Sequence, residues 1–180
     1  MADLSERIAS FHALHESGCF ILPNPWDAGS AKRLQSLGFR ALASSSSAAA
    51  WTLGLKDHEI TIEQILDHLE RLCRATDLPI NADFESGFAD DPSGVAANVR
   101  RALETGIAGL SIEDQAAPGE LYPLNLAIER IQAARAAIDA SGTGTVLVAR
   151  TEAYLNNIKD VSFAIDRMTA LAEAGADCQF

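Results

Sequence analysis

Three strand-like stretches of this chain each finish in charged side chains. Asp83 and Glu85 close the first stretch, and Glu113 closes the second. Arg150 stands near the end of the third stretch, which is the more basic one. In an α/β protein built from parallel strands, ligands bind outside the carboxyl ends of the strands, so these side chains would converge on one face. The pattern therefore predicts an active site on that face.

The predicted acidic cluster requires a positive partner. Ionised carboxylates at a mostly buried strand end are destabilised by desolvation unless a cation compensates them. Asp83 and Glu85 are two residues apart, so both side chains point to the same side of an extended strand, and Glu113 can approach from the next strand. Neither His nor Cys stands near them in the sequence, which favours Mg²⁺ or Mn²⁺ over Zn²⁺. The alternative is that Glu85 and Asp114 cap the following loops and face water.

The composition indicates a globular protein that binds a small molecule. With 180 residues and 48% hydrophobic side chains, the chain can bury a substantial core. A formal charge of −11 argues against a nucleic-acid surface, which needs clustered Lys and Arg. No apolar run approaches ~20 residues and the first residues lack the form of a signal peptide, so we expect a cytoplasmic protein without a membrane partner. Three scattered cysteines, Cys19, Cys73 and Cys178, fit a reducing compartment.

Short apolar runs alternate with amphipathic stretches along the chain, which is typical of successive β-α units. Gly38, Gly106 and Gly175 each precede an apolar run, as the αL cap at the end of a helix does. The predicted strands lie at 19–22, 41–45, 80–83, 109–112, 146–149 and 177–180. The predicted helices lie at 5–15, 61–75, 92–106, 124–138 and 160–174. This alternation implies a parallel sheet.

Capping signals and apolar spacing support the helices. Thr61 and Gln64 form a capping-box pair, and Pro92 suits the first position of a helix. In the last predicted helix, four apolar residues fall at helical spacing and are expected to face inward, namely Val161, Ile165, Met168 and Leu171.

The number of β-α units defines the expected fold class. Six units exceed an ordinary flavodoxin-like sheet and fall short of a closed (β/α)₈ barrel, which takes ~250 residues. The chain also stops inside its sixth predicted strand. We therefore expect a single domain over residues 1–180, an α/β (β/α)₈ TIM barrel truncated after about six strands with its C-terminal units missing. An open six-stranded doubly wound sheet is the alternative.

Six short motifs resemble, in order and spacing, those of the isocitrate lyase/phosphoenolpyruvate mutase superfamily. The motifs are Asn-Pro-Trp-Asp-Ala-Gly-Ser-Ala at 24–31, Ala-Ser-Ser-Ser-Ser at 43–47, Leu-Gly-Leu-Lys-Asp at 53–57, Asp-Phe-Glu-Ser-Gly-Phe at 83–88, Ser-Ile-Glu-Asp at 111–114 and Ala-Arg-Thr-Glu-Ala at 149–153. The resemblance covers essentially the whole chain. It implies a (β/α)₈ barrel of the phosphoenolpyruvate/pyruvate type, often with an eighth helix swapped between paired subunits, that uses Mg²⁺ to hold a 2-oxo acid or its enolate.

The resemblance also implies a metal site and a catalytic arginine. Asp83, Glu85 and Glu113 would organise Mg²⁺ or Mn²⁺, partly through water, with Asp57 nearby as a catalytic residue. Breaking a bond next to a carbonyl group develops negative charge on the enolate oxygen, and a bound cation together with Arg150 would stabilise that charge. Arg150 would also bind the substrate, because a planar guanidinium can hold a carboxylate or phosphoryl group through two hydrogen bonds. The alternative for Arg150 is a salt bridge with a neighbouring glutamate.

Further substrate contacts implied by the resemblance belong to the first two motifs. Ser45, Ser46 and their backbone N–H groups would receive a substrate carboxylate, and Trp26 and Asp27 would contact the substrate as well. The alternative for the run of serines is a polar turn.

The loop after the fourth predicted strand departs from the family pattern. Methylisocitrate and isocitrate lyases carry Lys-x-Cys-Gly-His there, whereas this chain has Gln-Ala-Ala-Pro-Gly-Glu-Leu-Tyr at 115–122. The Lys and the Asn-Ser pair of the phosphonomutases are absent too. Pro118 and Gly119 suit a lid that closes over the substrate. Glu120 and Tyr122 could each be the missing acid or base, and an ordinary exposed loop is the alternative.

The four histidines carry less weight. His12, His15 and His68 fall on predicted helices and are expected at the surface. His58 follows Asp57 directly, so it could influence that carboxylate or be adjacent to it by chance.

These observations favour a Mg²⁺-dependent carbon–carbon lyase or decarboxylase that acts on a small 2-oxo or 2-hydroxy dicarboxylate through an enolate. One alternative is a phosphonomutase-type reaction on a phosphoenolpyruvate-like substrate. Another is a non-catalytic, metabolite-binding remnant of the barrel. We also expect a homo-oligomer, because the family tends to form dimers or tetramers and because exposed sheet edges promote association.

Overall fold

A computed structural model of the chain describes residues 3–180 and has an α/β fold. Its helices are α1 (Leu4–Glu16), α2 (Ala28–Ser36), α3 (Ser46–Thr52), α4 (Ile62–Ala75), α5 (Pro92–Leu103), α6 (Leu124–Ser141) and α7 (Val161–Glu173). Its strands are β1 (Leu42–Ala43), β2 (Ile80–Asp83), β3 (Gly109–Glu113), β4 (Gln115–Ala117), β5 (Glu120–Leu121), β6 (Val146–Arg150) and β7 (Cys178–Gln179). Strands β1, β2, β3, β6 and β7 form one parallel sheet in that order, and β4 pairs with β5 as an antiparallel hairpin.

Local sequence signals explain where most of the predicted elements begin and end. Thr61 and Gln64 form the predicted capping box at the start of α4. Gly38, Gly106 and Gly175 have φ angles of 87°, 89° and 113°, which glycine adopts without the steric cost that a Cβ brings. The predicted strands at 41–45, 80–83, 109–112, 146–149 and 177–180 each contain a parallel strand of the sheet. The parallel β-α alternation is therefore confirmed for these units.

The first predicted strand, at 19–22, is wrong. Of the described residues before Leu42, none belongs to a strand. A backbone hydrogen bond of 3.2 Å from the Ala43 N–H group to the Pro23 carbonyl connects this segment to β1. Pro23 has no N–H group with which to continue a ladder, and Ile21 is exposed. The parallel sheet consequently has five strands within the described part of the chain.

Two short helices were not predicted. Helix α2 is capped by Asp27, whose side chain accepts a hydrogen bond from the Ser30 N–H group in a capping box. Helix α3 is capped by Ser45, whose hydroxyl accepts a hydrogen bond from the Ala48 N–H group. With nine and seven residues, both are too short to display the apolar periodicity on which the helix predictions depended.

Helix α7 buries only part of its predicted inward face: Leu171 is buried as predicted and Met168 is half-buried, but the first two residues of that face are not buried. Val161 and Ile165 are 60% and 52% exposed, whereas Ala164, Arg167 and Leu171 are buried. The guanidinium of Arg167 is paired with a buried carboxylate at the end of β3. A buried charge that loses its partner is strongly destabilising, so this ion pair favours burial of the side of the helix that carries Arg167, Ala164 and Leu171.

Helix α1 covers the amino-terminal ends of the strands. Phe11 is fully buried and packs in one apolar cluster with Ala108 and Val146. A Cβ atom on Gly109 would lie 2.6 Å from Phe11 Cε1 and 2.7 Å from Asn81 Oδ1. Only glycine therefore fits between β3 and the Phe11 ring.

The sheet has β1 and β7 as its outer strands, so residues 3–180 do not include a closed barrel. The eight-unit closure and the truncation after about six strands remain predictions. Among the described helices, none combines the length and the apolar character that crossing a membrane requires.

Candidate active site

A cavity of about 610 Å³ lies at the carboxyl ends of the parallel strands and reaches down to Phe11 of α1. Six of the residues that the sequence nominated contribute to its wall. They are Ser45, Ser46, Asp57, Asp83, Glu113 and Arg150. The parallel register explains this convergence, since Glu113 at the end of β3 is paired with Arg150 at the end of β6.

Asp83 is fixed by serines from the end of β1. Its Oδ2 atom accepts hydrogen bonds from the backbone N–H (2.8 Å) and the hydroxyl (2.9 Å) of Ser46. The backbone N–H of Asp83 donates to the Ser44 hydroxyl at 2.8 Å. Ser46 therefore positions a carboxylate of the protein, and the contact of Ser45 and Ser46 with a substrate carboxylate stays a prediction. The hydroxyls of Ser45 and Ser47 are 3.1 Å apart on the cavity wall.

Arg150 lies among carboxylates from three segments. Its Nη1 atom is 3.2 Å from Glu113 Oε1 and 3.7 Å from Asp83 Oδ1. Its Nε atom pairs with Glu152 Oε1, and its guanidinium carbon stands 5.0 Å from the centre of the Phe180 ring. Arg150 thus forms the salt bridges with neighbouring glutamates that were the alternative to substrate binding, and it also lines the cavity.

Burial makes this cluster short of positive charge. Desolvation raises the pKa of Glu113 from its ordinary value to about 8, and the nearby Arg150 offsets only part of that effect. Desolvation also raises the pKa of Glu152. The same cause raises the pKa of Glu85 to about 7, with His58 acting in the opposite direction. A cation added to the cavity would relieve these carboxylates.

Glu85 contacts the loop after α3, and its charge is close enough to contribute to the raised pKa of Glu113. Its Oε2 atom lies 3.7 Å from His58 Nδ1, and His58 Nε2 lies 3.8 Å from Asp57 Oδ2. Ligand atoms of these three residues all lie within 4.8 Å of one another. The assignment of Asp83, Glu85 and Glu113 as a metal set stays a prediction. No histidine is near these residues in the sequence, but the fold brings His58 next to Glu85.

The donor set fits a divalent cation. Asp83 Oδ1 and Glu85 Oε1 are buried and, within residues 3–180, accept no hydrogen bond. Unpaired buried carboxylate oxygens are costly unless a cation or a donor satisfies them. Hard cations such as Mg²⁺ and Mn²⁺ bind oxygen ligands of this kind.

Besides Glu85, four nominated residues lie away from the cavity wall. Trp26 is exposed and contacts Trp51, while Asp27 caps α2. Glu120 is exposed on the hairpin strand β5. Tyr122 is buried, and its hydroxyl donates to Asp90 at 2.7 Å.

The predicted lid is the β4–β5 hairpin, and part of it does reach the cavity. Gln115, Pro118 and Gly119 line the wall, whereas the Tyr122 side chain points to a different region through its bond to Asp90. The geometry gives no support to Tyr122 or Glu120 as the acid or base in this conformation, because neither side chain borders the space that a substrate would occupy.

Asp114 has a structural environment. It is buried and accepts hydrogen bonds from Arg167 Nε (2.7 Å), the Thr151 hydroxyl (2.7 Å) and the Glu152 backbone N–H (2.9 Å). It therefore does not face water as a loop cap, and it ties α7 to the segment that follows β6.

Two side chains at the site were missed or undervalued in the sequence. Glu152 is buried against Arg150, and the Ala-Arg-Thr-Glu-Ala motif that contains it was the available signal. His58 had only its adjacency to Asp57 as a signal, because its contact with Glu85 joins two loops that are distant in sequence.

Comparisons with known proteins identify the family to which this chain is related. Residues 11–180 match a sequence model of the phosphoenolpyruvate phosphomutase family. The 2-methylisocitrate lyase of Halalkalibacterium halodurans is 33% identical over 183 residues, which cover 99% of this chain and 59% of that protein. The oxaloacetate decarboxylase of Rhodopseudomonas palustris is 36% identical over 98% of this chain and 62% of that protein.

A similar crystal structure comes from Burkholderia cenocepacia J2315 and carries a provisional lyase/mutase assignment. It matches with a TM-score of 0.95 and 41% identity over 98% of this chain and 65% of that chain. The chain spans about three fifths of the length of the two curated relatives.

Proposed function

The chain belongs to the phosphoenolpyruvate phosphomutase family of the isocitrate lyase/phosphoenolpyruvate mutase superfamily, and from this premise we propose that it is a divalent-metal-dependent lyase or decarboxylase. Its substrate would be a small 2-oxo or 2-hydroxy dicarboxylate, cleaved at a carbon–carbon bond through an enolate. The names of the curated relatives, 2-methylisocitrate lyase and oxaloacetate decarboxylase, support this class of reaction.

One observation supports the proposal most directly. Asp83 and Glu85 each carry a buried carboxylate oxygen that accepts no hydrogen bond within residues 3–180, and Asp83, Glu113 and Arg150 line the cavity at the same ends of their strands. Such a site is suited to a cation, because the carboxylates outnumber the one arginine that lines the cavity, and a bound cation can in turn hold an anionic ligand.

The carboxylates and the arginine at the strand ends would have different roles in the reaction. Asp83, Glu85 and Glu113 would hold the cation, with Asp57 beside them. A divalent cation bound there would act as a Lewis acid toward negative charge on a substrate oxygen. Arg150 would stabilise the same developing charge from the β6 side, and its Nε contact with Glu152 fixes the plane of the guanidinium.

Substrate orientation would come from the end of β1. The hydroxyls of Ser45 and Ser47 face the cavity and can donate to a substrate carboxylate. The hairpin residues Pro118 and Gly119 would limit water access from above.

The proposal also includes closure of the parallel sheet into a barrel. We infer that the parallel units are part of a (β/α)₈ barrel, since five parallel strands follow one another in sequence order with helices between them. In such barrels the active site lies at the carboxyl ends of the strands, which is where the cavity opens.

The test is calorimetric binding of oxalate, an enolpyruvate mimic, in the presence and absence of Mg²⁺ or Mn²⁺. We expect binding only with metal, and we expect Asp83→Ala to abolish it. Asp67→Ala is the matched control, because Asp67 forms an exposed ion pair with Arg71 on α4. Equal oxalate binding with and without metal would contradict the site assignment.

Turnover distinguishes the alternatives. Release of pyruvate from oxaloacetate or 2-methylisocitrate would support the lyase or decarboxylase. Conversion of a phosphoenolpyruvate-like substrate to a phosphonate would favour a phosphonomutase, and tight metal-dependent oxalate binding without any turnover would favour a non-catalytic binding protein.

A further inference from the structure

Two side chains from neighbouring helices hold the backbone of the loop at 84–90, which follows β2. The carboxamide of Asn98, on α5, donates to the carbonyls of Gly87 and Phe88 at 3.0 Å each. A carbonyl oxygen only accepts, so the amide nitrogen of Asn98 is the atom that faces the loop. Arg130, on α6, donates to the other three carbonyls between positions 86 and 90, namely those of Ser86, Ala89 and Asp90. Five consecutive carbonyls thus depend on two residues.

The loop at 84–90 has a backbone conformation that its own residues disfavour. Glu85 and Phe88 have φ angles of 44° and 55°, in the left-handed region that residues other than glycine adopt infrequently. Such a conformation persists only where the surrounding structure enforces it. The carbonyls of Gly87 and Phe88 belong to the two peptide planes on either side of Phe88, so the bonds from Asn98 fix that residue directly.

This loop presents a carboxylate that the protein leaves unsatisfied. Glu85 is only 8% exposed, and its Oε1 atom is buried with no hydrogen-bond partner in the part of the chain that the structure describes. The backbone carbonyl of Glu85, by contrast, accepts from the Glu113 N–H group at 2.8 Å. Donors therefore serve the main chain of the loop, while the acidic side chain still requires a cation or another donor.

We propose that Asn98 is a positioning residue of the metal site, which acts together with Arg130 to hold Glu85 in place before a cation binds. Asn98 lies outside the cavity wall, so it acts through the loop and not by contact with metal or substrate. A ligand that is already fixed does not have to be ordered on binding, which raises the affinity of the site. The inference deepens the proposed function: it rests on the metal site of that function but not on its reaction.

The experiment measures Mn²⁺ binding by calorimetry in the 180-residue chain, in Asn98→Ala and in Asn98→Leu. Both substitutions delete the amide donor, and both introduce good helix formers, so α5 is retained. Thr76→Ala is the matched control, because the Thr76 hydroxyl accepts from the Leu78 N–H group at 3.1 Å before β2 begins and lies outside the cavity wall. Urea denaturation without metal measures the stability of each variant.

We expect both Asn98 variants to bind Mn²⁺ at least about tenfold more weakly than the parent chain, which is the usual effect of removing a group that orients a metal ligand. Thr76→Ala should bind as the parent does. Without metal, the amide hydrogens of residues 84–90 should exchange faster in the Asn98 variants only. A merely structural role would lower stability and leave the Mn²⁺ affinity of the folded chain unchanged. That result, or an equal loss of affinity in Thr76→Ala, would overturn the inference.

The failure of this inference and the failure of the proposed function are distinguishable. Metal-dependent oxalate binding with an unchanged Mn²⁺ affinity in the Asn98 variants would overturn the role of Asn98 and leave the proposed function intact. Mn²⁺ binding that depends on Asn98, without oxalate binding or turnover, would support the positioning residue and contradict the proposed function. A parent chain that binds no Mn²⁺ would overturn both.

Discussion

At the scale of single residues, the site is defined by buried carboxylates whose pKa values are raised by desolvation. Glu113 shows this most clearly, because desolvation raises its pKa from 4.5 to about 8 despite the adjacent Arg150. The folded protein without metal therefore retains a proton on Glu113 that the unfolded chain releases. This contribution to stability is fully present below about pH 4.5 and is lost as the pH rises through about 8.

A pH-dependent effect of metal on stability follows. A bound cation favours ionised Glu113, so the rise in Tm on adding Mg²⁺ or Mn²⁺ should be larger at pH 8.5 than at pH 6. Glu113→Gln cannot titrate and should lose most of this difference between the two pH values. Scanning calorimetry with and without a chelator measures the change in Tm at each pH. Glu120→Gln is the matched control, because Glu120 is exposed on the hairpin. The same pH difference in Glu113→Gln and in the parent would show that another group is responsible.

At the scale of elements, helix α6 holds the loop that follows β2. Arg130 is fully buried and donates hydrogen bonds to the carbonyls of Ser86, Ala89 and Asp90. Its guanidinium carbon also lies 3.9 Å from the centre of the Tyr122 ring. One side chain of α6 therefore fixes the loop that begins with a predicted metal ligand.

Replacing this side chain should be costly. Arg130→Met would leave three carbonyls without their donor, and each buried unsatisfied group costs about 1–3 kcal/mol. We expect the free energy of unfolding to fall by about 3 kcal/mol or more, measured by urea denaturation. Arg74→Met is the control: it removes an exposed ion pair with Glu70 and should change the free energy of unfolding by less than about 1 kcal/mol. Equal effects of the two variants would contradict the role of Arg130.

Elements also show how far the sequence could predict this site. Asp83, Glu113 and Arg150 converge as predicted because each ends a parallel strand, a relation that short-range patterns encode. The meeting of His58 with Glu85 depends on two loops with left-handed residues, which no periodic pattern signals.

The buried face of α7 could not be predicted in full from the sequence, because it depends on a long-range contact. Apolar spacing correctly favoured Leu171 as an inward residue and wrongly added Val161 and Ile165, because it does not register the buried pair of Arg167 with Asp114, 53 positions apart. Helical periodicity contains no information about the partner of a buried charge.

At the scale of the whole molecule, exposed apolar side chains and net charge act in opposite directions. Leu155, Val161 and Ile165 are 74%, 60% and 52% exposed, and the last two lie one helical turn apart on α7. Contiguous exposed apolar surface favours association, whereas a formal charge of −11 makes two copies repel each other. The expected homo-oligomer should therefore form more readily when salt screens the charge.

This balance gives a prediction for self-association. In sedimentation velocity at micromolar concentration, we expect dimers or larger species whose fraction rises between 50 and 500 mM salt, because the Debye length falls from about 14 Å to about 4 Å. Ile165→Lys should shift the distribution toward monomer, since it places a charge within the apolar face of α7. Leu37→Lys is the control: Leu37 is equally large and exposed but lies at the end of α2. A monomer at both salt concentrations would contradict the oligomer, and equal effects of the two substitutions would show that the α7 face is not where the copies meet.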